Sequence, residues 1–253
     1  MQIKTDGIVL REVQTSEADT IVTILTRDRG IISGFVGNAR KLRSRKAAAT
    51  SVLCYSRFEL YERQSLYIVD GAEAIEMFMG LRQDVIKLSL AAYFAELSRC
   101  LVPEGDRTEG FLRLVLNSLH LLSEEKRPMM LIKAVFELRM LELAGHMPDL
   151  VACEGCGAYE GPLSLLAHRA VLLCDSCKQT DDMRGEIPIP LAPGVLAAMR
   201  HIIYSEERKI FDFSLSDEGL EALAKAVQIY LTVQLDRGFS TLDFFHSMRK
   251  GAV

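Results

Sequence analysis

Ser51-Val52-Leu53-Cys54-Tyr55-Ser56-Arg57-Phe58-Glu59-Leu60-Tyr61-Glu62-Arg63 decides the fold of the first part of the chain. Val52, Cys54, Ser56, Phe58 and Leu60 fall on one face of this run, and Leu53, Tyr55, Arg57, Glu59 and Tyr61 on the other. A period of two is the signature of a strand with one side buried. Outward from it, Leu66-Tyr67-Ile68-Val69 follows a tight Gln64-Ser65 turn. Upstream lie Gly7–Val13, Thr20–Leu25 and Ile31–Val36, rich in β-branched residues. Thr26–Gly30 reads as a hairpin turn in which Gly30 is free to take positive φ. Five short strands with glycines at the bends predict a small closed barrel.

After Glu73 the period changes to about 3.6. Leu81, Val85, Leu88, Ala92 and Ala95 line one helical face, with Leu90, Phe94 and Leu97 opposite, as in a helix inside a bundle. Phe111, Leu114, Val115, Leu119 and Leu122 mark a second helix. A third opens at Pro128 and closes at Gly145, with Pro148 beyond and Leu131, Val135 and Leu138 on its stripe. The pattern breaks between Leu150 and Pro190 and resumes with Val195, Leu196, Met199, Ile202 and Ile203. Ser216 suits the N-cap of a helix through Leu220, Leu223, Val227, Tyr230 and Leu231, stopped by Gly238. Ser240 with Asp243 resembles a capping box for a last short helix. The broken segment is therefore expected as an insertion between two halves of a helical domain.

That segment holds Cys153-Glu154-Gly155-Cys156-Gly157 and Cys174-Asp175-Ser176-Cys177, two CxxC pairs 17 residues apart. Each pair sets two thiolates on one knuckle, and two knuckles complete a tetrahedral four-sulfur shell of the structural zinc type, with no open position for catalysis. Leu163–Leu166 and Ala170–Leu173 can form the hairpin that joins them. Disulfides and redox CxxC centres are the alternatives; the first is disfavoured in a reducing compartment, and the second normally comes once and in a βαβ context. Cys54 and Cys100 stand among hydrophobes and read as core fillers.

The 253 residues carry 30 basic against 34 acidic groups and are 49% hydrophobic, a composition that supports a core and does not advertise nucleic acid. The longest uncharged stretch, Ile187–Met199, has 13 residues, short of the roughly 20 a membrane helix needs. Met1–Asp6 leads straight into strand-like sequence, so a soluble, cytoplasmic protein is expected. No phosphate loop, HExxH, GxGxxG or GxSxG pattern occurs. Charge is nevertheless uneven. Arg40-Lys41-Leu42-Arg43-Ser44-Arg45-Lys46 holds five cations in seven residues, and without it residues 1–80 would change from net +1 to net −4. Arg40, Lys41, Arg43, Arg45 and Lys46 are the candidate phosphate contacts, on a barrel that also offers Phe35, Tyr55, Tyr61 and Tyr67 for base stacking. The bland alternative is a solvated loop. His120, His146, His168, His201 and His246 show no partner spacing, and Glu124-Glu125 and Glu206-Glu207 read as solvated faces, so no catalytic set emerges.

These parts resemble the RecO family of bacterial DNA repair and recombination mediators. The resemblance rests on Asp6-Gly7-Ile8-Val9-Leu10, on Gly37-Asn38-Ala39-Arg40-Lys41, and on Phe136-Glu137-Leu138-Arg139-Met140-Leu141 running into Gly145, Pro148, Leu150 and Cys153-x-x-Cys156-Gly157. The order of barrel, helices, cysteine insertion and helices matches along the whole chain. One departure stands out: the family often has paired glycines in the hairpin where this chain has His168-Arg169-Ala170. The resemblance implies an α+β multidomain fold: an OB-type DNA-binding barrel over 1–78, helical halves over 79–150 and 191–253, and a four-cysteine zinc insertion over 151–190. It further implies binding of single- and double-stranded DNA, strand annealing, and help in loading RecA onto DNA coated with single-stranded DNA-binding protein (SSB), without ATP hydrolysis or covalent chemistry. Implied partners are RecR and the acidic carboxyl tail of SSB, in a cytoplasmic, nucleoid-associated protein. Lys133 and Arg139, flanking Leu131, Val135, Phe136 and Leu138, are candidates for the rim of the tail pocket; the bland alternative is that the stripe is core and the two cations snorkel out of it. Rival readings are an enzyme with a structural zinc site and a zinc-stabilised protein-interaction module.

Overall fold

The computed structural model describes residues 2–17, 19–37, 45–63, 66–105 and 108–251. They form two compact units: 1–124 with 239–253, and 125–238.

The first unit is built on strands β1 (Gln2–Gln14), β2 (Thr20–Thr26), β3 (Ile31–Val36), β4 (Tyr55–Arg63) and β5 (Leu66–Glu76), with helix α1 (Arg45–Ala49) between β3 and β4. The strands close in the order β1-β2-β3-β5-β4, with β3 and β5 parallel and β4 returning to β1, the OB arrangement. One long strand serves both ends of the sheet because β1 bulges between Val9 and Arg11, pairing through its first half with β4 and its second with β2. Gly7 precedes the bulge, where β1 pairs with β2 and β4 at once, opposite Thr26 and Ser56. A Cβ there would stand 2.7 Å from Ile24 Cγ2 and from the Leu25 carbonyl oxygen, so no larger residue fits without displacement. Ile3, Val9, Val22, Ile24, Ile32, Val36, Phe58, Leu60 and Val69 fill the interior. The predicted alternation holds at Ser56, Phe58 and Leu60, all buried. The strand begins later than its hydrophobicity suggests, because residues 51–54 turn out of α1 with Leu53 at φ 63°. Gly30 takes φ 64° at the β2–β3 turn, as expected.

Helices α2 (Met79–Arg82), α3 (Val85–Leu101) and α4 (Glu109–Ser123) follow. Asp84 caps α3, accepting from the backbone N–H groups of Ile86 (2.7 Å) and Lys87 (3.2 Å). The buried face of α3 is Leu90, Ala91, Tyr93, Phe94 and Leu97, whereas Val85 and Leu88, expected on its core stripe, are exposed. Cys100 is also exposed, at the last turn and off that face, while Cys54 is buried, which pushes its thiol pKa up. On α4 all five predicted stripe residues are buried. The Thr108 hydroxyl donates to the Thr26 carbonyl at 2.8 Å, fixing the start of α4 to the β2–β3 turn. The last helix, Ser240–Lys250, packs on α3, with Phe239 edge-on to Tyr93 at 5.6 Å. Its N-cap is Phe239, not Ser240, and no side chain of its own caps it. Glu96 of α3 accepts from the Thr241 hydroxyl and backbone N–H instead, a tertiary substitute for the expected capping box.

The second unit holds α5 (Met129–Leu143), β6 (Asp149–Cys153), β7 (Leu163–Leu166), β8 (Val171–Cys174), α6 (Asp175–Lys178), β9 (Pro188–Leu191), α7 (Pro193–Tyr204) and α8 (Asp217–Leu235). Helix α5 is buried from Met130 to Leu138 and packs on α7 and α8. It ends as the sequence predicts: Gly145 takes φ 89°, its N–H reaches the Glu142 carbonyl at 3.0 Å, and the His146 N–H reaches that of Leu141 at 2.8 Å. Ser216 caps α8 by accepting from the Gly219 N–H at 3.2 Å, and the predicted stripes of α7 and α8 are buried throughout. The four strands lie in the order β6-β8-β7-β9. Among the described residues no helix is long and apolar enough to cross a membrane.

Candidate metal centre and nucleic-acid face

Cys153 ends β6 and Cys174 ends β8, and the parallel pairing of those strands sets the two CxxC turns side by side. The four sulfurs of Cys153, Cys156, Cys174 and Cys177 lie within 4.8 Å of one another, with Cys156 Sγ and Cys174 Sγ 3.7 Å apart. Backbone N–H groups point at them, from Cys174 to Cys153 Sγ at 3.3 Å and from Cys177 to Cys174 Sγ at 3.5 Å. Glycine is required in the first turn. A Cβ on Gly155 would meet Cys177 Sγ at 2.9 Å, and Gly157 takes φ 73°. Burial pushes the Cys153 thiol up, but N–H donors from Cys174, Cys156 and Gly155, with the Cys156 side chain, outweigh it and bring it down to about 6. Hydrogen bonds with Cys174, Cys156 and Cys153 push Cys177 the other way, to about 12. Four thiols this close resist ionising together unless a cation sits among them. The donor set fits a metal ion held by all four cysteines.

The hairpin that joins the knuckles turns at His168-Arg169-Ala170 without glycine. Ala170 accepts φ 60°, and the Glu186 carboxylate takes N–H groups of His168 (2.8 Å), Arg169 (3.3 Å) and Ile187 (2.9 Å). The Arg169 guanidinium pairs with Glu154 inside the first knuckle and with Asp181 at 2.6 Å beyond the second. It spans the centre from one cysteine pair to the other.

On the barrel, Arg40, Lys41 and Arg43 lie outside the described residues, as does the side chain of Arg45, whose backbone opens α1. Lys46 Nζ donates to the Val69 carbonyl. The four aromatics separate. Tyr67 packs against the barrel core, Phe35 and Tyr55 are half-buried, and Tyr61 is exposed. Beside Tyr55, Asp6 pairs with Arg57 (3.2 Å) and Arg27 (3.6 Å).

Of the two tail-pocket candidates, Lys133 requires correction. Lys133 is completely buried: its Nζ meets Glu137 at 2.8 Å and the Gln228 side-chain oxygen at 3.1 Å. It cannot rim an open pocket, because α5 is covered on the side that helical spacing left for solvent. Arg139 is half-buried, donating to the Ile203 carbonyl at 3.3 Å and pairing with Glu142 at 3.3 Å. Sequence reasoning missed two hollows. One, about 460 Å³, lies between α3 and the last helix and is lined by Val85, Leu88, Ala92 and Phe244; the apolar residues assigned to the core were its only signal. The other, about 510 Å³, lies beside Tyr159, whose ring the Arg200 guanidinium covers at 3.9 Å while donating to the carbonyls of Leu150, Val151 and Tyr159.

Two family models match end to end: "Recombination protein O N terminal" over residues 1–78 and "Recombination protein O C terminal" over 82–243. The chain is 33% identical to the DNA repair protein RecO of Acetivibrio thermocellus over 247 residues, 97% of each chain. It is 34% identical to that of Symbiobacterium thermophilum over 249 residues, 96% of each. With that of Heliobacterium modesticaldum it shares 35% over 213 residues, 82% of this chain and 76% of the relative.

Proposed function

The chain belongs to the recombination protein O family of DNA repair proteins, and from that premise we propose that it is a DNA-binding mediator of recombination. In this proposal it anneals complementary strands and assists RecA loading on SSB-coated single strands, by binding and rearrangement and without ATP hydrolysis. The observation that carries the proposal is the match of both family models in order along the chain.

The proposed division of labour follows the sequence segments. The barrel over 1–78 contacts DNA, with Arg40, Lys41, Arg43, Arg45 and Lys46 neutralising phosphates of single and double strands. The insertion over 151–190 holds zinc through Cys153, Cys156, Cys174 and Cys177; the ion would act as a structural cross-link between the two knuckles. The helices over 79–150 and 191–253 receive the acidic SSB tail, at residues other than the buried Lys133, and RecR is a further partner. The setting is the cytoplasm, at the nucleoid.

The test is binding of a fluorescent oligonucleotide to the full chain at two salt concentrations, alongside a turnover assay with and without metal. Salt-dependent binding without metal-dependent turnover supports the mediator. Turnover that follows metal content supports the enzyme, and neither result leaves the zinc-stabilised interaction module.

A further inference from the structure

The four sulfurs of the cysteine centre are not equally placed. Cys153 is buried, and its sulfur receives the N–H groups of Gly155, Cys156 and Cys174. Cys174 and Cys177 are half-buried, and Cys174 accepts the Cys177 N–H at 3.5 Å. Cys156 is exposed, and its sulfur receives the backbone N–H of Ala158. The local sequence explains the exposure. Cys156 stands between Gly155 and Gly157, so neither chain neighbour carries a side chain that could cover its sulfur. A Cβ on Gly157 would meet nothing within 4 Å, so that side of the turn is open. Burial closes a thiolate to reagents, and N–H donors draw charge from it and make it a poorer nucleophile. Cys153 is the most protected sulfur on both counts and Cys156 the most accessible. Across the centre, Cys174 Sγ lies 3.7 Å from Cys156 Sγ, close enough for side-chain rotation to bring the two into bonding distance.

We infer that Cys156 is the site at which a hydroperoxide oxidises the centre, with Cys174 as the thiol that traps the product in a reversible disulfide. The inference rests on the four-cysteine metal reading above and adds a modification site to it. The Cys156 thiolate attacks one oxygen of the peroxide; the S–O bond forms as the O–O bond breaks, and the leaving oxyanion takes a proton from solvent. Cys156 is then a sulfenic acid, oxidised by two electrons, and the peroxide is reduced by two. The Cys174 thiolate attacks the Cys156 sulfur, forming the S–S bond and expelling hydroxide, which a second proton converts to water. With hydrogen peroxide, two thiolates, one peroxide and two protons give one disulfide and two waters. The shell keeps only the Cys153 and Cys177 thiolates, two ligands where a structural site needs four, so metal is released. Proximity makes this a switch. A sulfenic acid remote from other thiols goes on to sulfinic and sulfonic acids, whereas one beside a resolving cysteine stops at a disulfide that thiols reverse. Three other sulfurs lie within 4.8 Å of that of Cys156. Cys100 is exposed as well, but among the described residues it belongs to no such cluster.

The experiment loads the full chain with zinc, adds hydrogen peroxide, follows free zinc with a chromogenic chelator, and maps cysteine oxidation by alkylation and mass spectrometry. Zinc should leave in step with a Cys156–Cys174 disulfide, and a dithiol reductant with added zinc should restore the starting state. Cys156→His keeps four ligands, in the Cys₃His set that zinc also accepts, and should slow release severalfold at the same peroxide concentration. Cys100→Ser should release zinc at the wild-type rate. Release that leaves Cys156 reduced overturns the inference, as do early products that stop at sulfinic acid and an unchanged rate in zinc-loaded Cys156→His. A disulfide joining Cys156 to Cys153 or Cys177 overturns the role given to Cys174. Should Cys156→His fail to hold zinc, the order of oxidation in the wild type decides, and a first product at Cys153, Cys174 or Cys177 overturns the inference. A wild-type chain that takes up no zinc removes the metal reading itself, a different result from any of these.

Discussion

The cysteine centre and one register row of the barrel are both made of residues that chain folding brings together, yet they differ in the distance over which it works. The four thiols come from 25 consecutive residues, two tight turns and one hairpin. The row draws Val13, Ile21, Phe35, Tyr61 and Ile68 from five strands, and its alignment depends on every register between them. The first arrangement is local chemistry that a metal can complete. The second is a by-product of closing a sheet, so it stands or falls with the barrel and owes nothing to metal.

The sharpest way to break that contrast is to remove a ligand. Cys153→Ser or Cys174→Ser should abolish stoichiometric metal binding, read by metal analysis, and cost several kcal/mol of stability in the cysteine-bearing unit, since metal binding and local folding are coupled. Single-strand affinity should persist. A wild-type protein free of metal with four reactive thiols would sink the metal assignment. Next in size is the buried pair on α5. Lys133→Ala removes the lysine that pairs with buried Glu137 and should cost roughly 3–5 kcal/mol in denaturant unfolding, while replacing both by apolar residues of similar volume should cost much less. An effect below about 1 kcal/mol, the surface-pair range, would return Lys133 to the exterior.

These outcomes track what the sequence could and could not convey. The CxxC spacing, the Gly145 stop, the Ser216 cap and the alternation at Ser56, Phe58 and Leu60 are local patterns, and the structure has each of them. Where tertiary contacts decide, local reading fails. Val85 and Leu88 have helical spacing and apolar side chains but lie on the open side of α3; Glu96 supplies the cap expected of Ser240. Lys133 reads as a rim residue because a lysine is rarely buried, and only a cross-helix partner such as Gln228 reveals the exception. Which barrel aromatics face outward is equally invisible, because strand parity is set by pairing with neighbours far along the chain.

Reversing Arg40, Lys41 and Arg43 to Glu tests the barrel side directly. Affinity for all sequences should fall together, and each phosphate no longer neutralised should take roughly 0.7–0.9 from the salt slope. Unchanged affinity and slope in the folded variant would move the phosphate contacts elsewhere. Two glycines then give a matched pair of smaller effects. Gly7→Ala forces a Cβ to 2.7 Å from Ile24 and Leu25 and should cost about 1–3 kcal/mol whether or not metal is present. Gly155→Ala forces one to 2.9 Å from Cys177 Sγ, and its penalty should appear as weaker metal retention against a chelator, with the barrel's melting unchanged. Equal effects of both on metal retention would mean that the two regions are coupled.

The smallest expected effect belongs to Arg169. Its guanidinium joins Glu154, next to the first ligand, to Asp181, just past the last, so it can hold the two knuckles in register. The pair is 38% and 47% exposed at Arg169 and Glu154, which limits what Coulomb attraction contributes in water to at most about 1 kcal/mol. The turn itself does not depend on the side chain, because Glu186 binds the Arg169 backbone N–H and Ala170 holds the positive φ. Arg169→Gln should therefore leave metal stoichiometry intact and speed metal loss to a chelator only several-fold, an effect that shrinks at high salt as the ion pairs are screened. Complete metal loss in this variant would mean that the hairpin, which closes the distance between the pairs, depends on Arg169 far more than its exposure allows. A rate identical to the wild type at low salt would show that the four sulfurs and their backbone donors hold the centre without help from the charges around it.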